Sequence, residues 1–89
     1  MKCIITVVGK DAKGIIARVC TYLANNDINI LDISQTIVGG YFNMMMIVDA
    51  ADSTKPFAQL HDELEECGRG LGVQVKCQRE DIFEKMHRI

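Results

Sequence analysis

The stretch Ile5-Thr6-Val7-Val8-Gly9-Lys10-Asp11-Ala12-Lys13-Gly14-Ile15-Ile16 decides how the rest of the chain is read. It starts inside an Ile-, Val- and Thr-rich block, residues 2–9, whose β-branched side chains suit a buried strand. Residues 9–14 break that block with glycine, lysine and aspartate, the chemistry of a turn. Beyond the turn, Ile16, Val19, Cys20, Leu23 and Ala24 recur at spacings of three and four, the apolar stripe of an amphipathic helix. Asn25-Asn26-Asp27 ends it, because short polar side chains compete for the helical backbone's hydrogen bonds.

Working outward, residues 28–38 carry Ile28, Ile30, Ile33, Thr36, Ile37 and Val38 and read as a second strand. Gly39-Gly40 supplies the positive φ angles of a tight hairpin, and Tyr41 to Ala50 is the returning strand. Asp52-Ser53-Thr54 offers an N-cap to a second helix, with Pro56 in its first turn. Phe57, Leu60, Leu64, Cys67 and Leu71 form that helix's apolar stripe, and Gly68, Gly70 and Gly72 mark its end. Residues 73–78 alternate Val73, Val75 and Cys77 as a last strand. Residues 79–89 read as a short terminal helix with Ile82, Phe83 and Met86 on one side.

The order β-α-β-β-α-β with right-handed crossovers predicts an α+β, ferredoxin-like domain. Its antiparallel sheet runs 4-1-3-2 with both helices on one face, leaving the second strand at an edge. Residues 1–78 form this domain, and residues 79–89 are a helical tail packing on it or on a partner subunit. The first and last strands are then neighbours, which places Cys3 near Cys77, and thiols are expected there.

The chain has 89 residues, a formal charge of −2 and four cysteines with no C-x-x-C pair. That charge argues against nucleic acid as the main partner, since phosphate neutralisation needs a basic surface. No run of apolar residues is long enough to span a membrane, and the N-terminus lacks the features of a signal peptide. A cytoplasmic protein with reduced, buried cysteines is expected, with no metal and no cofactor. His61 and His87, the only histidines, sit among charged residues and read as solvated. No nucleophile lies beside a base at a defensible spacing, so catalysis is not expected.

Two segments carry a resemblance. Residues 5–16 are similar to the opening of an ACT domain, where a strand runs into an acidic or amide residue, two further residues, a glycine and aliphatics. Asp27-Ile28-Asn29-Ile30-Leu31-Asp32-Ile33-Ser34-Gln35 resembles the second strand of the same family, which starts with an Asn-Ile pair. With the element order, the resemblance covers residues 2–78. The tail is similar to that of small free-standing ACT proteins. Lys13 stands where many ACT loops carry proline.

The resemblance implies a regulatory module that binds a small-molecule effector, an amino acid above all. The implied ligand residues are Asp11, Ala12, Lys13, Gly14, Ile15 and Asn29. The first-turn N–H groups at Gly14 attract a carboxylate. Asp11 either receives the ligand's ammonium group or caps the helix. Asn29 either offers its amide to the ligand or bonds its own turn. It belongs to the opposite end of the sheet from the first loop, so one chain cannot bring Asn29 and Asp11 together. Two chains can, as a homodimer or higher homo-oligomer paired antiparallel through the second strand. The module then acts on a separate regulated enzyme or reports by changing its own assembly. The alternative is a protein–protein interaction module that docks onto an enzyme without binding a metabolite. On the third strand, Met44 and Met46 point to one face, and Met45 and Ile47 to the other, so both faces are apolar.

Overall fold

The computed structural model describes residues 1–10 and 14–81. Its elements are β1 (Lys2–Gly9), α1 (Ile15–Asn25), β2 (Asn29–Val38), β3 (Tyr41–Asp49), α2 (Phe57–Arg69) and β4 (Gln74–Arg79). The four strands form one sheet in the order β2-β3-β1-β4. All three neighbouring pairs are antiparallel. This is the expected ferredoxin-like arrangement.

Alternation along the strands sends one set of side chains into the core. Cys3, Ile5 and Val7 of β1, Met44, Met46 and Val48 of β3, and Val75 and Cys77 of β4 are buried together. Ile15, Val19 and Leu23 of α1 and Leu60 and Leu64 of α2 close over them. Both helices therefore lie on one face. Met45 points the other way and is exposed, as the alternation required. Cys3 and Cys77 sit diagonally across the β1–β4 ladder and are free thiols. A hydrogen bond with the Cys3 thiol, and then burial, hold the Cys77 thiol far above the usual thiol range.

Several boundaries differ from the sequence reading. Helix α2 starts at Phe57, with the extended Pro56 at the cap position (φ −69°, ψ 158°). Ser53 accepts the Lys55 N–H at 3.4 Å and so organises the preceding turn instead of capping the helix. Ala24 and Leu71 are exposed, and Ile15 enters the α1 core face ahead of Ile16. Gly68 lies inside α2, where a Cβ would stand 2.6 Å from the Val73 carbonyl oxygen. Gly70 is the C-cap. Arg79 closes β4, so the last strand runs one residue further than expected; Glu80 and Asp81 are helical. The apolar tail residues Ile82, Phe83 and Met86 lie outside the described residues.

The hairpin turn carries φ +60° at Gly39 and +82° at Gly40. Both angles suit the two-residue turn that matches strand twist. A bulge at Leu31 shifts the β2–β3 register between Ile30 and Asp32.

Candidate functional site

The site is built on two ends of the sheet. At one end, Gly9 pairs with Phe42, and Phe42 with Ile37. There the chain leaves β1 and enters α1 through Gly14. Gly14 is the N-cap, with φ +80° in the left-handed region that a side chain disfavours. Its carbonyl accepts the Arg18 N–H at 3.0 Å, so the helix begins there. Among the described residues no side chain caps this end, and the first turn holds no acidic residue. The first-turn N–H groups and the positive end of the helix dipole suit an anion.

Gly14 is exposed, and a Cβ there would meet no described atom within 4 Å. Ile15 follows as the first helical residue. Its side chain is wholly buried and anchors the helix, which leaves only its backbone for a ligand. Asp11, Ala12 and Lys13 lie outside the described residues. Lys10 stands beside them, its ammonium 5.7 Å from the centre of the Tyr41 ring.

At the other end, Lys2 pairs with Asp49, and Asp49 with Asn29. Asn29 is exposed and lines a cleft of about 490 Å³ with Cys20, Asp27, Ile30 and Asp52. The turn before it is closed without its side chain. The Ile28 N–H reaches the Leu23 carbonyl at 3.0 Å, and Asp27 takes the positive φ of 57°. Along β1 the two ends are separated by roughly 24 Å, seven strand steps. Gly14 and Asn29 of one chain do not meet.

Between these ends lies β2, exposed over its whole length. Ile30, Ile33 and Ile37 are among its uncovered apolar residues. The Ile33 N–H is taken by the Asp32 carboxylate at 2.8 Å. Asp27, Asp52 and Asp32 were missed in the sequence. Each stood in a run with another reading: Asp27 in Asn25-Asn26-Asp27 as a helix stop, Asp52 in Asp52-Ser53-Thr54 as a cap, and Asp32 within the strand that begins near Asn29.

A second polar cluster joins the helices away from this site. Tyr22 donates to Glu63 at 2.6 Å, and Lys55 reaches the same carboxylate at 2.7 Å. Lys55, then Tyr22 and Gln59, hold the Glu63 carboxyl down at about 2. Half-buried His61 and Glu65 and exposed Asp62 bring ligand-type atoms within 4.8 Å of one another on α2. The histidine is already placed against both carboxylates, at 3.1 and 3.8 Å.

The family model described as the ACT domain matches residues 2–78. The chain belongs to the ACT domain family. Among ACT relatives, a UPF0237 protein of Bifidobacterium longum is 62% identical over 99% of this chain and 98% of its own length. A UPF0237 protein of Methanocaldococcus jannaschii is 51% identical over 97% and 96%. A solved ACT domain protein from Streptococcus pneumoniae superposes with a TM-score of 0.82 at 46% identity, covering 94% of each chain. ACT domains are typically regulatory modules that bind small-molecule effectors and oligomerise. None of the described helices is long and apolar enough to cross a membrane.

Proposed function

We propose that this chain is a cytoplasmic, non-enzymatic regulator that binds an amino acid in a pocket shared between two copies. The observation that carries the reading is the pairing of an open helix terminus with an unpaired strand edge. Gly14 opens a helix whose first-turn N–H groups no described side chain caps, at one end of the sheet, and Asn29 lines a cleft at the other. Antiparallel association through β2 exchanges those ends, so each Gly14 faces the Asn29 of its neighbour. The backbone at residues 14–15, with residues 11–13 beside it, receives the ligand's carboxylate. Asn29 across the interface, and Asp27 in the same cleft, suit the ligand's ammonium group and polar atoms.

Association also covers the bare edge of β2, which otherwise presents a template for unwanted pairing. Ligand binding at the joint favours the assembled state, because only that state holds both halves of the site. The signal then passes to a separate enzyme that reads the assembly.

Calorimetry across the common amino acids tests the reading, with Gly14→Asp as the control. Wild-type chain binds at least one amino acid at millimolar concentration or below, and Gly14→Asp binds none. Absence of any heat with the wild type at millimolar ligand favours a module that docks on its enzyme without a metabolite.

A further inference from the structure

Resting on the edge-paired reading above, we propose that two copies join through β2 in one register, with the two-fold axis passing through Gln35. Ile33 of each chain then lies against the partner subunit's Ile37.

The edge itself sets the phase. Asp32 occupies the Ile33 N–H, so that group is not spent on β3. In an antiparallel ladder, inward and outward groups alternate along the strand. Ile33, Gln35 and Ile37 therefore turn their backbone groups to the free edge. The hairpin gives the same phase from the other direction. Val38 and Tyr41 flank the two-residue turn and pair with each other, so the residues at 38 and 36 bond inward.

A shared pocket requires the helices of both copies on one face. That fixes the two-fold axis normal to the sheet and running through a residue that faces its own copy. Five positions, 33 to 37, are available on the edge between the bulge and the hairpin. An axis at Ile37 sets Gln35 against Gly39 of the turn and leaves Ile33 past the end of the opposing strand. An axis at Thr36 sets Ile37 against Gln35 and leaves Ile33 past the end of the opposing strand. An axis at Ser34 sets Ile33 against Gln35 and draws the bulged Leu31 into the ladder. An axis at Ile33 sets Ile37 against Asn29, using the ligand amide as a strand contact. An axis at Gln35 alone makes two Ile33–Ile37 pairs and keeps the bulge outside.

Those isoleucines are 44% and 76% exposed in the single chain, so the pairs bury apolar surface that none of the other described residues covers. Asp32 falls opposite Val38, and the two carboxylates stand roughly 20 Å apart along the strand. The partner's Asn29 then lies beyond the row of Val38 and Tyr41, past the end of β1, where α1 begins. For the ladder to form, Asp32 releases the Ile33 N–H to the carbonyl of the partner's Ile37.

Single-cysteine variants of the full chain test the register. Ser34→Cys, Gln35→Cys and Thr36→Cys are oxidised under mild conditions beside wild type, which sets the background from the native cysteines. Each mass is read by light scattering before oxidation. With the axis at Gln35, the two copies of that position have Cα atoms about 5.5 Å apart, inside disulfide range. The copies of position 34, and those of position 36, are roughly 8 Å apart and outside it. Gln35→Cys is expected to form covalent dimer about tenfold faster than either neighbour. A non-covalent dimer that links fastest at 34 or 36, or links at none of the three above wild type, overturns the register and leaves edge pairing standing. A monomer in every variant and in wild type overturns both.

Discussion

At the scale of single residues, three positions carry separate physical demands. Gly14 must adopt φ +80°, and the spacing of its loop made it legible in the sequence. Gly68 was read as punctuation at a helix end, yet it is a packing position. An added Cβ meets the Val73 oxygen and the Val75 side chain, each at 2.6 Å. Periodicity cannot reveal that, because the constraint comes from β4 closing on α2. Gly68→Ala gains about 1 kcal/mol of helix propensity. It loses about 1–3 kcal/mol to overpacking against a backbone atom that cannot swing away. A net destabilisation is expected in urea unfolding, and a more stable variant would contradict the close approach. Asp32 restrains the free edge. Asp32→Ala frees an N–H in each copy and is expected to tighten self-association by roughly tenfold, read by sedimentation. An unchanged dissociation constant would show that the carboxylate does not compete with the partner strand.

At the scale of elements, β2 and the pair α1–α2 contrast. The sequence of β2 announced a strand through its isoleucines, but not that the helices would leave its isoleucines bare. Burial depends on where α1 lies over the sheet, and no local pattern encodes that. The two helices are clasped by Tyr22, Lys55 and Glu63, a contact between residues 41 positions apart that spacing rules do not reach. The Glu63 carboxyl is held at about 2, below its ordinary 4.5, first by Lys55 and then by Tyr22. A depressed carboxyl stabilises the fold in full above its unfolded value and loses that contribution as pH falls toward 2. Lys55→Met is expected to raise the Glu63 titration in carbon-detected NMR, and Tyr22→Phe to raise it less. If neither variant moved it, the clasp would not exist in solution. The start of α2 was misread for a local reason. Ser53 serves the turn before Pro56, and an Asp-Ser-Thr run looks the same whether it caps a helix or bends the chain ahead of one.

For the whole molecule, strand order and helix placement were legible because right-handed crossovers leave few ways to arrange six elements. The neighbouring buried thiols of Cys3 and Cys77 followed from that order alone. The candidate site was legible only by halves. Gly14 and Asn29 each left a local signature, whereas their meeting depends on a second copy whose approach no single sequence window describes. Subunit complementation addresses that meeting. Gly14→Asp chains and Asn29→Ala chains, each defective in ligand binding, are unfolded together and refolded as a mixture. Half of the resulting dimers are mixed, and each mixed dimer has one site built entirely from unaltered halves. A pocket shared between subunits therefore restores about one quarter of the wild-type ligand capacity in calorimetry. No recovery in the mixture, when the two chains are shown to have exchanged, would contradict a site divided between subunits.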